Sequence, residues 1–204
     1  FSAQREGDQW TYRGQAIVWP GLPLPAMAGA FQLRNAAAAL AALEAVRARL
    51  PVSEAAIRQG LAQACVGGRF QRIARAPDVI LDVAHNPEAA RALAATLREQ
   101  PVAGRTLAVV GMLADKDAAG VFAALSEEID AWWVCTPDSP RARDAAALAA
   151  ELRTHVQGAP ISIQPDVIAA LAAARSTAHE GDRILAFGSF YTVAAVLNHA
   201  ASQS

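Results

Sequence analysis

The sequence has 204 residues, 53% hydrophobic and 18% charged, with 18 Lys and Arg against 19 Asp and Glu for a formal net charge of −1. That length and composition support one large domain, or one and a half, with a well-buried core, and exclude a disordered chain. The even charge balance excludes an electrostatic footprint for nucleic acid or an anionic membrane, so neither is an expected partner. Any anion site must be built locally, from helix ends and a few placed cations.

Gln9 to Trp19 alternates roughly and carries Trp10, Tyr12, Ile17 and Trp19 around Gly14, which predicts a β-hairpin. Pro20 to Pro25 reads as a Pro-rich connector. Asn35 to Leu50 is predicted helical, with Leu40, Leu43, Val46 and Leu50 on one face. Ser53 is expected to cap a second helix reaching about Ala64. Gly67-Gly68 then breaks the chain, and a domain boundary is placed there, separating 1–67 from 68–204.

Beyond Arg69 short apolar runs alternate with amphipathic segments. Strands are expected at Val79–Val83, Thr106–Val110, Ala131–Cys135, Ile161–Ile163 and Ile184–Phe187, with an edge strand near Phe70–Arg75. Helices are expected at Pro87–Glu99, Ala118–Glu128, Arg143–Thr154, Asp166–Ala178 and Phe190–His199. Strands apolar on both faces and separated by helices imply an α/β fold: a Rossmann-like, mostly parallel sheet with helices on both faces. Such sheets bind ligands beyond the carboxyl ends of their strands.

Three segments at strand ends carry the polar residues such a site needs. In Asp82-Val83-Ala84-His85-Asn86-Pro87 an acid ends an apolar strand, an imidazole and an amide occupy the turn, and Pro87 opens a helix. Asn86 reads equally as a helix cap and Asp82 as an acceptor for loop amides. In Gly111 to Asp117, Lys116 is either a solvated loop lysine or a cation for a carboxylate or phosphate. In Gly188-Ser189-Phe190-Tyr191-Thr192, Ser189 either caps the next helix or offers its hydroxyl to an anion. The sequence holds no glycine-rich Walker loop and no G-x-G-x-x-G after a strand. The histidines at 85, 155, 179 and 199 are scattered, and Cys65 and Cys135 fit no metal spacing, so no metal site is assigned. Both cysteines read as buried thiols.

These motifs occur in one order in a known family. Gly68-Arg69-Phe70-Gln71, the Asp82 to Pro87 run, Gly111 through Asp117, and Gly188 to Thr192 resemble the folate-type members of the Mur ligase superfamily. Gly29-Ala30-Phe31-Gln32-Leu33-Arg34-Asn35-Ala36 resembles the adenine-side motif that closes the central ATPase domain of those enzymes. The resemblance implies that residues 1–67 are the tail of that domain and residues 68–204 the C-terminal α/β domain. It implies an ATP- and magnesium-dependent ligase. ATP phosphorylates a substrate carboxylate, and the amine of L-glutamate attacks the acyl phosphate to give an amide on a pteroate or folate. On the same grounds Gln32 and Asn35 lie near the adenine, Arg69 reaches the nucleotide, Asp82 holds the ribose, and His85 sits by the transferred phosphate. Asn86, Lys116 and Ser189 match positions that bind the incoming amino acid. The phosphate loop and magnesium-holding residues of the family precede the matched part. The chain, which starts at Phe1, is therefore read as a C-terminal portion with no ligase activity alone, from a monomeric protein of the cytoplasm. Two other readings remain open: a non-catalytic nucleotide-binding scaffold of the same fold, and a ligase acting on a peptidoglycan or cyanophycin precursor.

Overall fold

A computed structural model of the chain describes residues 1–202. The chain divides into two compact units, Phe1–Gly67 and the residues from Gly68 onward.

The first unit contains β1 (Ser2–Glu6), β2 (Gln9–Arg13), β3 (Val18–Pro23), α1 (Phe31–Ala45) and α2 (Glu54–Gln63). The strands form an antiparallel sheet in the order β1-β2-β3. The expected hairpin is β2 and β3, its turn closed by the Gly14 amide donating to the Ile17 carbonyl at 2.8 Å. Strand β1 escapes sequence reading because Ser2–Glu6 is polar and almost wholly exposed, leaving no alternation to see. The connector expected at Pro20–Pro25 is corrected: β3 runs through Pro20 to Pro23. Proline is tolerated there because β3 is an edge strand, where a missing N–H breaks no ladder bond. The first helix is also corrected, from Asn35–Leu50 to Phe31–Ala45. Val46 leaves helical geometry, and Val46 and Leu50, which continue the helical spacing of Leu40 and Leu43, are exposed. Ser53 caps α2 as expected, its hydroxyl accepting from the Ala56 amide at 3.2 Å.

A small core links sheet to helices through Trp10, Tyr12 and Leu22 against Ala37, Leu40 and Ile57. Glu44 supplements it. Its carboxylate accepts from Tyr12 Oη at 2.8 Å and from the amides of Gln15, Ala16 and Ile17 at 3.3, 2.7 and 3.1 Å. The β2–β3 turn is thereby pinned to the end of α1. A Cβ on Gly14 would lie 1.8 Å from Glu44 Oε2, so glycine here leaves room for the anchoring carboxylate.

The second unit contains β4 (Gln71–Ala74), β5 (Asp78–Asp82), α3 (Pro87–Glu99), β6 (Thr106–Val110), α4 (Ala118–Leu125), β7 (Ala131–Cys135), α5 (Ala145–Leu152), β8 (Ile161–Gln164), α6 (Val167–Thr177), β9 (Arg183–Phe187) and α7 (Phe190–Ser202). One sheet runs β4-β5-β9-β6-β7-β8, parallel except for the antiparallel edge strand β4. Strand residues alternate between two cores. Ile80, Val110, Trp132 and Phe187 face α3, α4 and α5, whereas Leu81, Val109, Trp133 and Ala186 face α6 and α7. Helix α4 starts at Ala118 as expected, behind an Asp117 cap that accepts from Gly120 N, but ends at Leu125 rather than Glu128; α5 is shorter at both ends, starting only after Asp144, which accepts from Ala146 and Ala147 N. Cys135 is buried in the sheet, but Cys65 is exposed, correcting the expectation that both are core thiols. It lies beyond the end of α2, in the run towards Gly67, where no apolar layer covers it. Among the described residues no helix is long and apolar enough to cross a membrane.

Candidate active site

The sheet order decides what meets at the carboxyl ends of the strands. Strand β9 inserts between β5 and β6, so four adjacent parallel strands, β5, β9, β6 and β7, deliver the loops that hold His85, Ser189, Lys116 and Arg141. These four residues, with Leu113, Gly188, Phe190 and Tyr191, wall a cavity of about 280 Å³. That is a volume suited to a small metabolite.

Asp82 is the buried end of β5. Its Oδ2 accepts from Phe70 N at 2.9 Å and its Oδ1 from Ala84 N at 2.8 Å. Burial pushes this carboxyl up, against those two amides and the charge of Arg69, which pull it down. The Gly68-Arg69-Phe70-Gln71 motif is the other side of this cradle. Gly68 has φ +71°, and a Cβ there would lie 2.8 Å from Val83 Cγ1, so the turn needs glycine on both counts. Phe70 is itself left-handed, with φ +45°, and the bond to Asp82 helps to hold it so. Arg69 is exposed. Each carboxylate oxygen of Asp82 keeps a further lone pair, so amide anchoring does not exhaust its capacity to accept.

His85 Nδ1 lies 2.8 Å from the Val83 carbonyl, which can only accept. The proton therefore sits on Nδ1, and Nε2 is the nitrogen left for chemistry at the cavity. Asn86 caps α3, its Oδ1 accepting from Ala89 N at 2.9 Å, with Pro87 at the first helical position. Asn86 is absent from the cavity wall, and its side-chain NH2 remains for a ligand.

Ser189 is buried, and its hydroxyl is spoken for. Thr192 Oγ1 donates its one proton to the Gly111 carbonyl at 2.8 Å. Ser189 must then be the donor in the 2.8 Å bond to Thr192 Oγ1, while it accepts from Thr192 N at 3.0 Å. The hydroxyl thus acts as a cap and a tie, and in this arrangement it has no proton to spare for an anion. The same tie joins the first turn of α7 to the end of β6. Space there is tight: a Cβ on Gly188, which has φ +107°, would come within 2.7 Å of the Gly111 carbonyl oxygen.

Lys116 sits on a loop held at many points. Arg143 Nη2 donates to the carbonyls of Ala114 and Lys116 at 3.1 and 3.0 Å, and Arg143 also pairs with Glu151. Ala114 N donates to the Arg141 carbonyl at 2.9 Å, tying the β6–α4 loop to the β7–α5 loop. Arg141 was not singled out from the sequence. The signal is present in the sequence, since an arginine in the loop after β7 obeys the same strand-end rule as Lys116.

Gln32 and Asn35 lie in the first unit, on the first turns of α1. Asn35 Nδ2 donates to Gln32 Oε1 at 3.0 Å. Both border a cavity of about 300 Å³ whose other walls include Leu40, Leu43, Val52 and Ile57. A largely apolar slot with an amide pair at its border has the character of a site for a flat organic group. Among the described residues no three His, Cys, Asp or Glu groups come together to hold a metal ion.

Comparison with known proteins gives the chain its relatives. The chain is 42% identical to the dihydrofolate synthase/folylpolyglutamate synthase of Escherichia coli (strain K12), over 95% of this chain and 45% of that protein. The solved structure of E. coli FolC in complex with DHPP and ADP superposes with a TM-score of 0.87 at 38% identity, covering 98% of this chain and 46% of the other. A bifunctional folylpolyglutamate synthase/dihydrofolate synthase with Mn, AMPPNP and L-glutamate bound gives a TM-score of 0.82 at 40% identity, over 95% and 45% of the two chains. The chain therefore spans about half the length of the relatives it matches. Residues 68–190 match the family described as Mur ligase, glutamate ligase domain, and the chain belongs to that family.

Proposed function

We propose that this chain is the C-terminal part of an ATP-dependent amide ligase that adds L-glutamate to dihydropteroate or to the glutamate tail of a reduced folate. The observation that carries the reading is the cavity in which Lys116 and Arg141 stand with His85 at the ends of adjacent parallel strands. Glutamate brings two carboxylates, and burying an anion without partners costs several kcal/mol, so its site needs cations. Relatives named as folate ligases, one of them solved with L-glutamate bound, support the choice of amino acid.

In this reading Lys116 binds a glutamate carboxylate. His85, through Nε2, serves the transferred phosphate or the acyl phosphate. Ser189 contributes by holding the first turn of α7 in place, and Asn86 by its free amide NH2. Gln32 and Asn35 take the adenine, and Arg69 and Asp82 the rest of the nucleoside. The first unit is then the tail of a central ATPase domain, and magnesium is held by residues outside this chain. The ligase is a cytoplasmic monomer supplied by the cell's ATP. Acyl transfer through a phosphorylated carboxylate asks the protein chiefly to position groups and to balance charge.

The test is steady-state kinetics of the full-length ligase with Lys116→Ala. The Michaelis constant for glutamate should rise by about one to two decades while that for ATP stays within about twofold. A rise confined to ATP would place Lys116 on the phosphates instead, and wild-type enzyme without glutamate-dependent turnover would end the reading.

A further inference from the structure

Lys116 and Arg141 share one carboxylate. Asp115 Oδ2 lies 3.0 Å from Lys116 Nζ, and Asp115 Oδ1 lies 2.8 Å from Arg141 Nη2. Asp115 does not itself wall the cavity that the two cations line. Each oxygen takes one cation, so the carboxylate works as a bracket behind the wall.

The backbone beneath this trio is already fixed. Gly111 is tied to Thr192, Asp117 caps α4, and the Arg143 guanidinium holds the Ala114 and Lys116 carbonyls. What remains loose is the pair of long side chains, which carry the most rotamer freedom of any residue type. Two like charges left to themselves would also move apart. Both effects weaken a binding wall, and a carboxylate that engages both cations opposes both.

We propose that Asp115 is a positioning residue that sets the preference for a dicarboxylic amino acid over its amide, by holding Lys116 and Arg141 as one paired cationic wall. The proposal rests on the glutamate-ligase reading above. A γ-carboxylate set against this wall finds two charged donors. A γ-amide brings no charge, and its NH2 meets donors with nothing to accept. Pre-organised cations also spare the substrate the entropic cost of collecting them. The Lys116 bond, and after it the Arg141 bond, hold the Asp115 carboxyl below the usual carboxylate range, so the bracket stays ionised at neutral pH. All three side chains reach solvent, Asp115 at 47% and Arg141 at 60% exposure. Ion pairs of this kind add little to folding stability, so a change here can be read in kinetics without loss of the fold.

The experiment is steady-state kinetics on the full-length ligase carrying Asp115→Asn and, separately, Asp115→Glu, with glutamate varied and glutamine as competing substrate. Asp115→Asn should raise the Michaelis constant for glutamate about tenfold and reduce discrimination against glutamine, leaving kcat and the ATP constant within about twofold. Asp115→Glu should recover part of the loss, and the thermal midpoint should not move. An unchanged glutamate constant would overturn the proposal and make Asp115 a solvated surface residue. A lowered constant would overturn it in the other direction, showing that Asp115 competes with substrate for the cations. If the wild-type enzyme shows no turnover with glutamate, the ligase reading itself fails and the proposal falls with it.

Discussion

The two units of this chain solve the same problem with different materials. From Gly68 onward a six-stranded sheet is covered on both faces, with apolar side chains of every strand residue from Leu107 to Val110 and from Ile184 to Phe187 wholly buried. Phe1–Gly67 buries far less, and its three-stranded sheet depends on a polar anchor, Glu44, which gathers one hydroxyl and three backbone amides. The second unit has a carboxylate anchor as well. Asp182 accepts from Arg105 N and Nη2 at 2.7 and 2.8 Å and from His179 N at 3.0 Å, but it is buried where Glu44 is half-buried. Burial pushes Asp182 up, yet the Arg105 and His179 bonds outweigh it and bring the carboxyl down to about 2. A small sheet can be held by an anchor that water reaches; a doubly covered sheet can afford to bury one.

The largest test of this contrast is Asp182→Ala. It leaves the Arg105 and His179 amides without their acceptor near the amino ends of β6 and β9 and removes the Arg105 ion pair, and should cost the second unit about 3 kcal/mol in urea unfolding. A cost under about 1 kcal/mol would show that the anchor is incidental. The sign with pH follows from the depressed value. Asp182 contributes stability fully above its unfolded pKa of about 3.9, and that contribution is lost as pH falls through about 2. Glu44, also held below its usual range, first by the Ala16 amide and then by Tyr12, loses its contribution in the same sense, as pH drops below about 4.3. Asp82 behaves oppositely: its raised carboxyl costs stability when ionised, and mild acid relieves that cost.

Next in size, Gly14→Ala should expel the Glu44 carboxylate from the β2–β3 turn. Hydrogen exchange should show lost protection at Ala16 and Ile17 at neutral pH, with the amides of β6 and β9 unchanged. Retained protection would mean that Glu44 can shift and still serve as anchor.

Thr192→Val keeps the shape but removes the tie between α7 and the end of β6. The loss should be about 1–2 kcal/mol, because Ser189 and Gly111 lose a partner together. The glutamate Michaelis constant of the full-length ligase should rise several-fold, since the Lys116 loop begins at Gly111. A loss of stability with unchanged kinetics would detach the tie from the site.

The smallest effect is expected at Trp132. Among the described residues its Nε1 is the one buried side-chain polar atom without a hydrogen-bond partner, packed between Phe122 and Phe187. Replacing a stranded donor offsets the lost volume, so Trp132→Phe should stay within about 1 kcal/mol of wild type in denaturant unfolding. A penalty of several kcal/mol would point to a water bound at Nε1.

Much of this protein could be read directly from its residues. The strands Thr106–Val110 and Ala131–Cys135 announce themselves because both faces are buried, which forces continuous apolar runs. Asp82, His85, Lys116 and Ser189 stand out because they are polar residues at the carboxyl ends of such runs, where sheets of this kind bind ligands, although Asp82 and Ser189 also hold backbone amides there. Strand β1 does not show, since an exposed edge leaves no hydrophobic pattern, and α1 ends at Ala45 although residues at helical spacing continue to Leu50. Tertiary structure alone decided the rest. Only the insertion of β9 between β5 and β6 brings residues 85, 116, 141 and 189 to one cavity, because strand order depends on which surfaces pack and not on which residues follow one another. Only the Thr192 bond to Gly111 settles which way the Ser189 proton points. And only the meeting of two loops sets Asp115 between Lys116 and Arg141, a contact across 26 residues that no local periodicity encodes.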